Sequence, residues 1–92
     1  MTEKQYIKHV QELTGVDILA KYSTRHEIDK PQRIIRAVAT YYLFQHFGLK
    51  QKILGLLFKV TYKCISRWCV RAVERRHDKG YKEALRLLDP KL

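Results

Sequence analysis

Tyr62, Lys63, Ser66, Arg67 and Arg71 recur within one ten-residue run of the chain. On an α-helix of 3.6 residues per turn, that spacing gathers hydroxyl donors and positive charge on one side. The other side carries Ile65, Trp68 and Ala72 at i, i+3 and i+7, a stripe suited to burial. Cationic side chains mixed with hydroxyls on one helix face have a definite chemistry. Lys or Arg donates to O6 and N7 of guanine, hydroxyls bond to bases or phosphates, and a good base contact is worth about 1–3 kcal/mol of discrimination. The chemistry expected of this face is recognition of a duplex polyanion rather than bond making.

The element that presents this face is expected to be the second half of a helix-turn-helix spanning about 50–68, KQKILGLLFKVTYKCISRW. Ile53, Leu54, Leu57 and Phe58 recur at helical spacing in its first helix. Gly55 is small where that helix must let the second approach closely. Lys59 and Val60 fill the short turn. The Thr61 hydroxyl is expected to cap the second helix by accepting a backbone hydrogen bond. Lys50, Lys52 and Lys59 are expected to hold phosphates, which set register without reading sequence.

The charge pattern agrees. The 92 residues carry 19 Lys and Arg against 9 Asp and Glu, a formal charge of +10. From Lys30 through Val73 there is no acidic residue, yet that window holds Lys30, Arg33, Arg36, Lys50, Lys52, Lys59, Lys63, Arg67 and Arg71. An acid-free basic surface on a folded, amphipathic segment is the footprint of a polyanion binder. A merely soluble basic protein would mix both signs.

Catalytic and metal-binding patterns are missing from the sequence. His9, His26, His46 and His77 are scattered without metal-ligand spacing. No Ser or Cys stands beside a plausible base, and there is no Gly-x-x-x-x-Gly-Lys-Ser/Thr run. Cys64 and Cys69, five residues apart on one helix, point about 140° away from each other, too divergent for a comfortable disulfide. Neither an enzyme nor a cofactor nor a metal is expected. The N-terminus MTEKQYIKHV has no hydrophobic leader, and no apolar run nears the roughly 20 residues needed to span a bilayer. The expected location is cytoplasmic, away from membranes.

Length sets one all-α domain over 1–92, of five or six helices around a modest core. Thr2-x-x-Gln5 opens a first helix as a capping box; Tyr6, Ile7, Val10 and Leu13 stripe it, and Gly15 ends it after Thr14. Asp17 is expected to start a short helix over Ile18 to Tyr22. Residues 23–29 read as a polar connector, with Asp29 capping the next helix and Pro31 in its first turn. That long helix should run from Lys30 to Phe47, contacted on more than one side, with Gly48 as its stop. Tyr41 and Tyr42 read as core or rim residues. The helix of the basic face should continue towards His77. Arg75, Arg76, His77 and Lys79 form a basic exit, Gly80 breaks the pattern, and a last amphipathic helix covers Tyr81 to Leu88. That helix either folds back on the core or serves a partner.

The order of parts resembles the C-terminal DNA-binding domain of the bacterial replication initiator DnaA, whose close structural relative is the tryptophan repressor. The likeness runs from about Val10 to Val73. Arg25-His26-Glu27-Ile28-Asp29-Lys30-Pro31-Gln32-Arg33 is similar to the family's basic loop and Arg-Pro-Arg-Gln helix start. Leu54-Gly55-Leu56-Leu57-Phe58 is similar to its Ile-Gly-x-x-Phe. Val60-Thr61-Tyr62-Lys63-Cys64-Ile65 stands where the family has Asp-His-Thr-Thr-Val. The signature's Asp and His are replaced by Thr61 and Tyr62, and its threonines by Lys63 and Cys64, so the base sequence recognised should differ. The resemblance implies major-groove contact by Thr61, Tyr62 and Lys63, and minor-groove reach by Arg25 and His26. The partner it implies is double-stranded DNA, in replication control or transcriptional regulation. The recognition stretch alone also resembles repressor units and region four of sigma factors. Other readings of the same residues are a helical interaction or dimerisation module, an RNA binder, and one domain of a larger regulator.

Overall fold

The computed structural model describes residues 1–19 and 30–91, with only the backbone of Lys30. The described part is all-helical: α1 (Glu3–Thr14), α2 (Lys30–Gln45), α3 (Gln51–Phe58), α4 (Tyr62–Glu74) and α5 (Lys79–Leu87). No described helix is long and apolar enough to cross a membrane.

α2 is the axis of the fold, and all four other helices pack against it. Its sequence explains why. Ala37, Val38, Ala39 and Thr40 are consecutive and all buried, and Leu43 follows them. Four successive buried positions cover every side of a helix, and the two alanines keep it thin enough for neighbours to approach. Thr40 disposes of its own polarity by donating to the Arg36 carbonyl one turn back, at 2.7 Å. The helix ends at Gln45, not Phe47. His46 and Phe47 both turn back to the Tyr42 carbonyl, and Gly48 takes a left-handed φ of 70°. The Leu49 N–H then reaches the Leu43 carbonyl at 3.1 Å, satisfying an end-of-helix acceptor.

α1 follows the sequence closely. Its capping box is complete, with the Gln5 N–H donating to the Thr2 hydroxyl and the Thr2 N–H to the Gln5 side chain. Gly15 ends it with φ 73°. Asp17 Oδ1 accepts from the Leu19 N–H at 3.0 Å, within a turn at Ile18 and Leu19. The rest of the expected short helix, the polar connector and the Asp29 cap lie outside the described residues.

The C-terminal helix folds back on the core. Tyr81, Ala84 and Leu88 are buried, and two tyrosine hydroxyls fasten the segment. Tyr6 donates to the Leu88 carbonyl at 2.7 Å, and Tyr42 donates to the Leu85 carbonyl at 2.6 Å. Gly80 is not the breaker that its type suggested. It lies in the first turn of α5, and the chain turns earlier, at 75–78. A β-carbon at Gly80 would stand 2.9 Å from Cδ1 of Ile34, the movable end of that side chain, so Gly80 lies where α5 packs on α2.

Candidate nucleic-acid interface

α3 and α4 are joined by Lys59, Val60 and Thr61 alone. Leu54 and Phe58 of α3 and Ile65, Cys69 and Ala72 of α4 are buried. Gly55 does permit a close approach, but to the turn. A β-carbon there would lie 2.8 Å from the Val60 carbonyl oxygen. The turn itself is tight: the Val60 N–H bonds to the Gly55 carbonyl at 2.9 Å, and Lys59 sits in the left-handed region at φ 59°. It is the sole non-glycine with positive φ among the described residues.

Three aromatic and cationic groups join α4 to its neighbours. The Trp68 ring meets Phe58 of α3 edge-on at 5.7 Å between centroids. Arg36 of α2 lies over the same ring, 5.1 Å from its centre. A guanidinium on an indole face is attractive through the ring quadrupole. Trp68 thus ties α2, α3 and α4 together, and Arg36, assigned by sequence only to the basic window, has a positioning role. Its spacing of 32 residues from Trp68 left no local signal for that contact.

Thr61 departs from expectation. Its backbone is extended, as an N-cap requires, but its hydroxyl accepts no backbone bond and points at Cys64 Sγ, 3.6 Å away. The first-turn N–H groups of Cys64 and Ile65 are instead served by the Thr61 backbone carbonyl. A sulfur that can accept, three residues on, competes with the usual capping geometry.

The described candidate residues sort into two sets. Thr61, Tyr62, Lys63 and Arg67 are exposed at the start and outer side of α4, with Tyr62 at 53% exposure. Ser66 and Arg71 are half-buried on either flank of that face. At 100° per residue Lys63, Arg67, Val70 and Glu74 mark its centre line, opposite Ile65 and Ala72. The face is therefore basic over its first turns and ends on the acid Glu74. Lys50, Lys52 and Lys59 are exposed at the two ends and along α3, and Arg33 is exposed on α2. Arg25 and His26 lie outside the described residues, as does the side chain of Lys30.

Beside the basic face runs a feature that the motif did not announce. Ser66, Val70 and Val73 of α4, Tyr41 and Phe44 of α2 and Gln51 of α3 line a shallow cleft of about 410 Å³. The helical wheel of α4 carries the signal for it, since Val70 and Val73 fall outside the Ile65–Trp68–Ala72 stripe. At the cleft floor, burial pushes the Cys69 thiol up to about 11, so it stays protonated and unreactive at neutral pH.

No family model, no curated protein and no solved structure matches the chain.

Proposed function

We propose that this protein binds double-stranded DNA in a sequence-specific manner, with α3 and α4 acting as a helix-turn-helix and α4 entering the major groove. The supporting observation is the outward face of α4. Exposed Thr61, Tyr62, Lys63 and Arg67 stand on a helix joined to α2 and α3 through Trp68, inside a 44-residue stretch without an acid. Lys63 and Arg67 would reach base edges, with Tyr62 and Ser66 beside them. Lys50, Lys52, Lys59, Arg33 and Arg71 would hold phosphates. The resemblance to the DnaA DNA-binding domain supports the same reading and suggests a role in replication control or transcriptional regulation.

Four or five phosphate contacts would give log K against log salt a slope of about −4. The test is fluorescence anisotropy on a mixed-sequence duplex across a salt series, with circular dichroism to confirm folding. Wild-type protein should bind duplex DNA with that slope and prefer it to duplex RNA at matched salt. The Lys63→Ala/Arg67→Ala variant should fold normally and lose at least about tenfold in affinity. Folded variant and wild type binding equally, or no wild-type binding at low salt, would refute the proposal.

A further inference from the structure

Ile53, Leu56 and Leu57 of α3 are 49%, 81% and 37% exposed. The sequence pattern suggested Ile53 and Leu57 as partners of Leu54 and Phe58 on one buried stripe. Only Leu54 and Phe58 are buried, together with Gly55. The i, i+3, i+4 spacing of the exposed three makes them neighbours on the opposite side. Single exposed leucines are ordinary, but three adjacent exposed aliphatics on one eight-residue helix make a contiguous apolar surface. Helix propensity does not require them, since Gln, Lys or Glu would serve as well.

The rim of this patch says what covers it. Lys52 lies four residues before Leu56 and Lys59 three residues after it, and both are exposed. Lys52 is therefore the neighbour of the most exposed leucine one turn back on the helix surface, and Lys59 follows it at the left-handed C-cap just beyond the last turn. Lys50 stands at the N-cap, and no acid occurs anywhere between 30 and 73. A second copy would set lysine against lysine across a patch only about 12 Å long. Acidic side chains over the same lysines would be attracted, and aliphatic anchors would cover the apolar centre.

We propose that the outer face of α3 docks a short acidic amphipathic helix of another protein, with apolar anchors against Ile53, Leu56 and Leu57 and carboxylates over Lys52 and Lys59. Helix-on-helix docking through i, i+3 and i+4 anchors suits this surface, and its small size sets the affinity in the micromolar range, about 1–100 μM. The apolar anchors lie outside the proposed DNA contacts, but Lys52 and Lys59 are shared with them, so duplex DNA and the acidic helix would compete for these two lysines.

The probe is a labelled 18-residue peptide of Leu, Glu and Ala with leucines on one helical face and glutamates flanking them. Its controls are a scrambled peptide of the same composition and a version with Lys in place of Glu. The amphipathic acidic peptide should bind about tenfold tighter than either control. Leu56→Ser, which alters a surface side chain, should weaken it about tenfold or more while leaving the circular dichroism spectrum unchanged. Lys52→Glu/Lys59→Glu should abolish the preference for acid, and Lys63→Ala/Arg67→Ala should leave peptide binding intact. Equal binding of the scrambled peptide, or indifference to Leu56→Ser, overturns the proposal. So does Leu56-dependent dimerisation in sedimentation equilibrium, or Leu56-dependent binding to phosphatidylserine vesicles tighter than to the peptide.

Discussion

Replacing Gly55 by alanine probes the joint that holds α3 to α4. The added methyl would meet the Val60 carbonyl oxygen at 2.8 Å, the Tyr62 nitrogen at 3.5 Å and the Thr61 carbonyl carbon at 3.6 Å. The last two distances are ordinary contacts, which begin near 3.4 Å, so only the Val60 oxygen must retreat, by about 0.6 Å. That oxygen cannot swing aside alone. It belongs to a three-residue turn whose Lys59 and Val60 N–H groups are bonded to α3 carbonyls at 3.3 and 2.9 Å. Alanine in a helix is favoured over glycine by about 1 kcal/mol. Overpacking against backbone costs about 1–3 kcal/mol, and a rigid obstacle places the cost towards the upper end. The net expectation is a loss of about 1–2 kcal/mol. For a domain of this size each kcal/mol lowers Tm by about 4–8 °C, so Gly55→Ala should melt roughly 5–15 °C lower. Thermal and urea unfolding followed by circular dichroism measure this directly. A variant as stable as wild type, or more stable, would show that the turn yields freely and that Gly55 is not needed for close approach.

Lys59→Gly should act in the opposite direction. Relief of the left-handed strain at φ 59° outweighs the added freedom of the unfolded chain, for a gain of about 0.5–1 kcal/mol in urea unfolding. If Lys59 holds a phosphate, the same variant lowers the salt slope of duplex binding by about 1. Tyr6→Phe keeps the ring against Phe47 but removes the donor to the Leu88 carbonyl, and should cost about 1–2 kcal/mol by denaturant titration. Burial, helped by the nearby Asp89 carboxylate, pushes the Tyr42 phenol up to about 12, against its ordinary 10.0. Between those values the unfolded chain binds fewer protons than the folded one, so the Tyr42 contribution is full below pH 10 and lost as pH rises to 12. The stability gap between wild type and Tyr42→Phe should therefore be constant from pH 8 to 10 and shrink towards pH 12 in urea titrations.

Local signals in the sequence carried most of the helices, because their causes are local. Thr2 and Gln5 are three residues apart and make their capping box unaided, and Gly15 and Gly48 terminate helices by their own backbone freedom. Contact of α2 on more than one side was legible from the spread of its apolar residues, whereas burial of Ala39 and Thr40 within it was not. What escaped depended on distant partners. Gly80 reads as a breaker until Ile34, 46 residues earlier, is seen against it. Ile53 and Leu57 read as core because an apolar residue at helical spacing looks the same whether or not a neighbour covers it. Trp68 was expected as a buried stripe residue, but its grip on Arg36 and Phe58 joins three separate helices. On the candidate face, the side-chain types of Lys63 and Arg67 and their exposure followed from the α4 periodicity. The cleft beside them requires α2 and α3 to be in place.

Selection from a randomised pool of duplex DNA, followed by sequencing, tests base reading by α4 most directly, with wild type and Lys63→Ala/Arg67→Ala run in parallel. A short motif recovered by wild type, and lost or relaxed at a few positions in the variant, is the predicted result. Recovery of the same motif by both proteins, or of no motif by either, would contradict sequence reading by Lys63 and Arg67.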